Sequence, residues 1–112
     1  MIKKPPILAA VVALVALPAL GVPQAAGRER HRVEIQGFAF VPERLVVAPG
    51  DTVVWVNRDL APHTVTAEDA RWDSQRLEAD IAWELHITEE MAGDYFCRYH
   101  PGMRGQLHVR RR

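Results

Sequence analysis

The chain has 112 residues, with fourteen Lys and Arg against fourteen Asp and Glu, so its formal net charge is zero. That balance provides no basic field of the kind that binds nucleic acid, and the length allows one small domain with a modest core. The single cysteine, Cys97, excludes an internal disulfide.

The first stretch reads MIKKPPILAAVVALVALPALGVPQAAGRER. Two lysines, an apolar block over residues 7–17 and small residues after it have the layout of a secretory signal peptide. The block is shorter than the roughly 20 apolar residues that span a bilayer; a retained N-terminal anchor is the alternative. Ala19, Leu20 and Gly21, and again Ala25, Ala26 and Gly27, supply small residues for cleavage. Residues 1–27 are therefore expected to be a leader, cut after Gly21 or Gly27, and residues 28–112 the folded domain. No cysteine lies near either position, so a lipid anchor on cysteine is excluded. From Arg28 onward there are twelve arginines, no lysine and fourteen acids, a net charge of −2. Small exported domains commonly lean on disulfides or a metal. A lone thiol in such a domain pairs with another chain, stays buried and inert, or binds something.

The folded part reads as β. HRVEIQGFAF alternates Val33 and Ile35, then Phe38 and Phe40, and the phase flips at Gly37, which predicts a bend or bulge there. ERLVV is a short strand, and APGD is a turn in which Pro49 sets φ and Gly50 is free to take positive φ. TVVWVN is apolar on both faces, as a central sandwich strand should be. HTVTA is another short strand. Residues 68–80 read as a connecting loop with room for a helical turn. Residues 81–88 read as a strand whose inward side is Ile81, Trp83, Leu85 and Ile87, although Leu77, Ile81 and Leu85 also fit one face of a helix. QLHV alternates Leu107 and Val109. Short strands and frequent turns fit an all-β sandwich.

The chemistry concentrates in YFCRYHPGMRGQLHV, where His100 follows Cys97 by three residues and Met103 follows His100 by three. The plain alternative is structural, since buried cysteines and core methionines are common. HPGM, however, carries two breakers and reads as a loop between strands. Thiolate, imidazole and thioether form a soft donor set that suits copper, whereas structural zinc sites rarely use methionine. A type 1 copper site needs a second histidine. Of His31, His63, His86 and His108, His63 stands out, in the loop NRDLAPHTV behind Pro62. His31 lies at the ragged start of the domain, and His86 and His108 occupy strand positions expected to face water.

Taken together, LVVAPGDTVVWVN, the N-x5-H run ending at His63, and AGDYFCxxHPGMRG resemble the cupredoxins, the type 1 blue copper proteins. The spacing C-x2-H-x2-M is most like the amicyanin branch, next to its plastocyanin and azurin relatives. The resemblance covers roughly residues 33–110. It implies a Greek-key β-sandwich with antiparallel or mixed strands and one copper ion near one end. It implies His63, Cys97 and His100 as equatorial ligands and Met103 as the axial one. Two residues depart from the pattern. The family usually has asparagine after the first histidine, where its N–H bonds the cysteine sulfur and its side chain ties the ligand loops together; here Thr64 is expected to do the second job less firmly. Amicyanins have proline where this chain has Tyr99, whose N–H is expected to give the Cys97 sulfur a second hydrogen bond.

These features predict a small exported, periplasmic, monomeric carrier that moves single electrons between redox proteins by cycling Cu(II) and Cu(I). The resemblance points to an amine dehydrogenase as donor and a c-type cytochrome as acceptor. The docking patch would surround His100, with Pro101, Gly102 and Leu60, and with Arg98 and Arg104 either solvated or facing an acidic rim. The alternative is a copper storage, delivery or resistance protein. Multicopper catalysis would need several further histidines, and His31, His86 and His108 are scattered, so no enzyme is expected.

Overall fold

Alternation of buried and solvated positions makes β1 (Arg30–Ile35), which turns Val33 and Ile35 inward. In the computed structural model, which describes residues 2–6, 10–16 and 28–110, seven more strands follow. They are β2 (Phe40–Val41), β3 (Arg44–Val47), β4 (Thr52–Asn57), β5 (Thr66–Ala67), β6 (Ala82–His86), β7 (Gly93–Cys97) and β8 (His100–Val109). The only helical element among the described residues is a 3-10 turn, Glu89–Met91. Both cleavage positions read from the sequence lie outside the described residues. No helix among the described residues is long and apolar enough to cross a membrane.

The strands form two four-stranded sheets, β2-β1-β4-β6 and β3-β8-β7-β5. β1 pairs with β4, and β3 with β8, in parallel; the remaining pairs are antiparallel. The β-sandwich expected from the sequence is therefore present, with mixed sheets. β4 sits inside its sheet and is buried over five of its six residues, which is why it is apolar on both faces. The bend between β1 and β2 falls where the phase flips: Gly37 has φ of 61° and Phe38 of 58°.

Three local expectations need correction. HTVTA contributes only the two residues of β5, because His63 instead forms an isolated bridge with Leu77. Ile81 lies just before β6 and is half exposed, so the inward side narrows to Leu85 and, just after the strand, Ile87, with Trp83 partly buried. HPGM is not a loop: β8 begins at His100, and only Arg98 and Tyr99 form the turn from β7. Pro101 is tolerated there because β3 pairs only with residues 106–109 of β8, so no ladder on that side needs its missing N–H.

The core joins the sheets through aromatic rings. Trp55 of β4 lies edge-on to Tyr95 of β7 at 5.6 Å and also packs against Trp72 and Trp83. Its Nε1–H donates to the Tyr95 hydroxyl at 3.2 Å. Burial pushes the Tyr95 phenol up to about 12, so it stays neutral. Gly105 faces Tyr95 across the β7–β8 ladder, and a Cβ there would come within 2.2 Å of the tyrosine Cζ. Asp51, 3% exposed, ties the start of β4 to the chain before β1. Its carboxylate accepts from the Ala48 and Glu29 N–H groups at 2.9 and 3.0 Å and from the His31 ring at 2.8 Å. Burial alone would raise the Asp51 carboxyl, but these donors outweigh it and hold it below the usual carboxylate range.

Two outcomes follow. Gly105→Ala should lower the unfolding free energy of the metal-free protein by about 1–3 kcal/mol, read by urea denaturation. Asp51 contributes stability above the ordinary carboxyl range, and that contribution is lost as pH falls through its depressed folded value. Wild type should therefore exceed Asp51→Asn by about 1–2 kcal/mol at neutral pH, with the gap closing in acid, as measured by denaturation at a series of pH values.

Candidate metal centre

Cys97 ends β7 and His100 begins β8, so the two-residue turn between them sets one face of the site. A register shift between Phe96 and Cys97 turns the cysteine out of the regular ladder, as bulges next to functional sites commonly do. The sulfur is fully buried.

His63 arrives from the other side, on the loop that leaves β4. Asn57, fully buried at the end of β4, organises that loop: its Nδ2 donates to the Ala61 and Leu77 carbonyls at 2.9 and 3.1 Å, and its Oδ1 accepts the Asp59 N–H at 2.9 Å. Paired backbone bonds with Leu77, at 3.1 and 2.8 Å, then fix His63 itself. Its side chain is fully buried, and its Nε2 lies 2.8 Å from Asp59 Oδ2. An ionised carboxylate only accepts, so Nε2 is the donor in this bond, which in the neutral imidazole leaves the Nδ1 lone pair facing the Cys97 sulfur. Burial pushes the Asp59 carboxyl up, but the Phe38 and Gly37 N–H groups and the His63 ring together pull it below the usual range.

These elements bring the ligand atoms of His63, Cys97 and His100 within 4.8 Å of one another. The Cys97 Sγ lies 3.6 Å from His63 Nδ1 and 3.7 Å from His100 Nδ1. Ordinary metal–sulfur and metal–nitrogen bonds of about 2.3 and 2.0 Å, set about 120° apart, put S and N about 3.7 Å from each other. Both sulfur–nitrogen distances thus fit trigonal placement around one ion. Met103 is buried on β8, in the same core cluster as Cys97. His86 and His108 face solvent, as expected. His31 instead groups with Glu29 and Asp51, where its Nε2 is already taken up by Asp51.

The neighbours of the sulfur answer both departures. The Thr64 N–H donates to Cys97 Sγ at 3.3 Å, and the Thr64 hydroxyl accepts the Arg98 N–H at 2.9 Å, so threonine does tie the two ligand loops together. Tyr99 makes no hydrogen bond to the sulfur; Thr64 is its one backbone N–H donor among the described residues. Tyr99 occupies the outer corner of the turn, with its ring under the Arg76 guanidinium at 5.9 Å. Arg98 pairs with Asp73 and Arg104 with Glu68 within the chain, so neither is simply solvated.

Two residues escaped the sequence reading. Asp59 stands four positions before His63, which was its only signal. Phe38 lies edge-on to both imidazoles, 5.3 Å from His63 and 4.8 Å from His100. Its position depends on a positive φ that no residue pattern announces, beyond the phase flip at Gly37.

Comparison with known proteins agrees with this geometry. The profile of the cupredoxin-like domain matches residues 7–109. Amicyanin of Paracoccus denitrificans is 34% identical over 82 residues, covering 69% of this chain and 63% of that one. Plastocyanin of Nostoc punctiforme is 32% identical over 83 residues, covering 58% of each. This chain thus spans less than two thirds of the length of these relatives. A solved structure of a methionine-to-alanine variant of amicyanin, with Cu(I), is 33% identical and superposes with a TM-score of 0.65, covering 72% of this chain and 82% of that one.

Removing the carboxylate that holds His63 should loosen the site without touching a donor atom. Asp59→Ala is expected to bind Cu(I) about 10–100-fold more weakly than wild type, measured by competition with a chromophoric chelator.

Proposed function

This chain belongs to the cupredoxin-like family, and from that premise we propose that it is a type 1 copper protein carrying single electrons between redox partners. His63, Cys97 and His100 would hold the ion equatorially and Met103 axially. The observation that supports this most is the triangle of the Cys97 sulfur and the Nδ1 atoms of His63 and His100, which lie 3.6 and 3.7 Å from the sulfur. Copper bound there would cycle between Cu(II) and Cu(I), a soft mixed donor set accommodating both.

The chain's own residues do the rest. Asp59 fixes the His63 tautomer and ring plane, as carboxylates behind metal-binding histidines generally do. The Thr64 N–H draws negative charge from the sulfur. Hydrogen bonding at that sulfur is one of the levers on reduction potential. Phe38 covers the edges of both imidazoles, while His100 keeps part of its ring exposed. His100 is therefore the electron port. Phe38, 52% exposed, lies 4.8 Å from the His100 ring, and the chain neighbours of that histidine, Tyr99, 45% exposed, Pro101 and Gly102, are at the surface; Leu60, 95% exposed, is the further apolar residue the family pattern assigns to this rim. Such an apolar rim suits a small, transient docking contact. Because Arg98 and Arg104 are paired internally, the rim carries little free positive charge, and the partner's docking surface need not be acidic.

A c-type cytochrome as acceptor, and an amine dehydrogenase or another donor, fit the similarity to amicyanin. Residues 1–27 fit a leader for export to the periplasm, and the domain fits a monomer. The similarity to amicyanin and plastocyanin favours a carrier over an enzyme.

Cu(II) added to the metal-free protein should give an intense blue colour that ascorbate bleaches and an oxidant restores, and Cys97→Ser should abolish it. A bound but colourless ion would sink this reading. Copper passed to an acceptor protein without net electron flow would favour delivery instead.

A further inference from the structure

The loop between β5 and β6 carries no expected role, yet it closes a ring of hydrogen bonds around the departure at Thr64. Asp73 of this loop bridges to Thr66 of β5, and the contact is held on both sides: on one by the Ser74 N–H to the Val65 carbonyl at 2.9 Å and the Val65 N–H to Ser74 Oγ at 2.8 Å, on the other by the Ala67 N–H to the Trp72 carbonyl at 3.0 Å. We propose that Thr66 and Asp73 are positioning residues of the metal centre, which orient the Thr64 hydroxyl so that it accepts the Arg98 N–H and thereby fixes the spacing between the His63 loop and the turn bearing Cys97 and His100. The consequence for the metal rests on the copper reading above; the ring itself does not.

Counting protons determines the direction of every bond. As an ionised carboxylate Asp73 has no proton to give. Its Oδ1 accepts from Thr66 Oγ1 at 3.1 Å and from the Gln75 N–H at 2.9 Å, and its Oδ2 pairs with the Arg98 guanidinium at 2.5 Å. A hydroxyl has one proton, so the Thr66 proton is spent on Asp73. The contact of 2.9 Å between the two threonine hydroxyls must then use the proton of Thr64. With that proton turned away, the Thr64 oxygen can only accept, and what it faces at 2.9 Å is the Arg98 N–H. The chain starts at the Arg98 backbone, runs through Thr64 and Thr66 to Asp73, and returns to the Arg98 side chain. Thr64 and Thr66 are 2% and 3% exposed, so water is poorly placed to substitute.

The position of Thr64 matters because the same residue donates its N–H to the Cys97 sulfur at 3.3 Å. If the hydroxyl no longer holds Arg98, the residue after Cys97 is released, and the N–H to sulfur contact lengthens with it. The Arg98 guanidinium is solvent-facing but the Asp73 side chain is only 15% exposed, and its carboxylate also sets the direction of the hydroxyl chain.

The test compares Thr66→Val, which keeps the shape and removes the proton, with Thr66→Ser, which restores it. In the metal-free full chain, hydrogen exchange at the Arg98 amide, read by NMR, should accelerate about fivefold in Thr66→Val while the amides of β4 do not change. Thr66→Ser should return Arg98 to the wild-type rate. In the copper-loaded protein the reduction potential should fall in Thr66→Val and recover in Thr66→Ser. Arg98 exchange within about twofold of wild type in Thr66→Val, or equal acceleration across β4, overturns the proposal. Should Thr66→Val not fold, Asp73→Asn at the loop decides: its amide can donate and scramble the chain, so wild-type Arg98 protection there also overturns it. A wild type that takes up no copper overturns the electron-carrier reading alone, because the exchange measurement needs no metal.

Discussion

Three donor atoms from two distant parts of the chain meet at one point, and the fold has to hold them there. The Cys97 sulfur and the Nδ1 atoms of His63 and His100 face each other within 4.8 Å, with His63 and Cys97 fully buried. No buried side-chain nitrogen or oxygen among the described residues lacks a hydrogen-bond partner, yet burying polar groups costs free energy that such pairing only offsets. A bound ion would add stability, since it binds the native state and not the unfolded chain. The apolar core of the sandwich supplies the rest.

The two halves of the site reach that sandwich at neighbouring points. The His63 loop hangs from Asn57, the last residue of β4. Cys97 is the last residue of β7. Two residues before each of these ends, Trp55 of β4 and Tyr95 of β7 meet across the core through a ring contact and a hydrogen bond. The strand ends that carry the ligands are thus tied together one turn of the pleat below the site. Gly105 allows this, because it is the absence of a side chain there that lets the Tyr95 ring lie across the ladder. Asp59 adds a second tie by accepting from Gly37 and Phe38 as well as from His63. The bend after β1, the first ligand and the aromatic cover over both imidazoles consequently move as one unit.

What could be read from the sequence was whatever depends on neighbours along the chain. Cys97, His100 and Met103 fall within one short segment, and their donor chemistry is visible in their residue types. The central strand β4 was visible because burial on both faces leaves a continuous apolar run. His63 was harder: its distance from Cys97 in sequence hides a contact of 3.6 Å, and only its loop setting and the family pattern singled it out. Asp59, Phe38 and Asp73 were not legible, because each acts through a partner in another element. The strand character of HPGM was hidden for a related reason. Proline and glycine break strands where both edges are paired, and the sequence does not show that β3 stops short of them.

Thr64 shows why one substitution in a site tends to implicate others. A side-chain amide has its acceptor and its donors on different atoms, so its carbonyl oxygen can take a backbone N–H whatever its NH₂ group does. A hydroxyl has donor and acceptor on one oxygen, and its proton rotates freely unless something claims it. Left alone, it would spend part of its time pointing that proton at the Arg98 N–H, where it would repel rather than bind. The claim here is made by Thr66, and Thr66 is claimed in turn by Asp73. Threonine at position 64 is therefore an adequate tie between the ligand loops only in a chain that also places a carboxylate two hydroxyls away. Position 64 cannot be understood without position 73, although eight residues and a turn separate them.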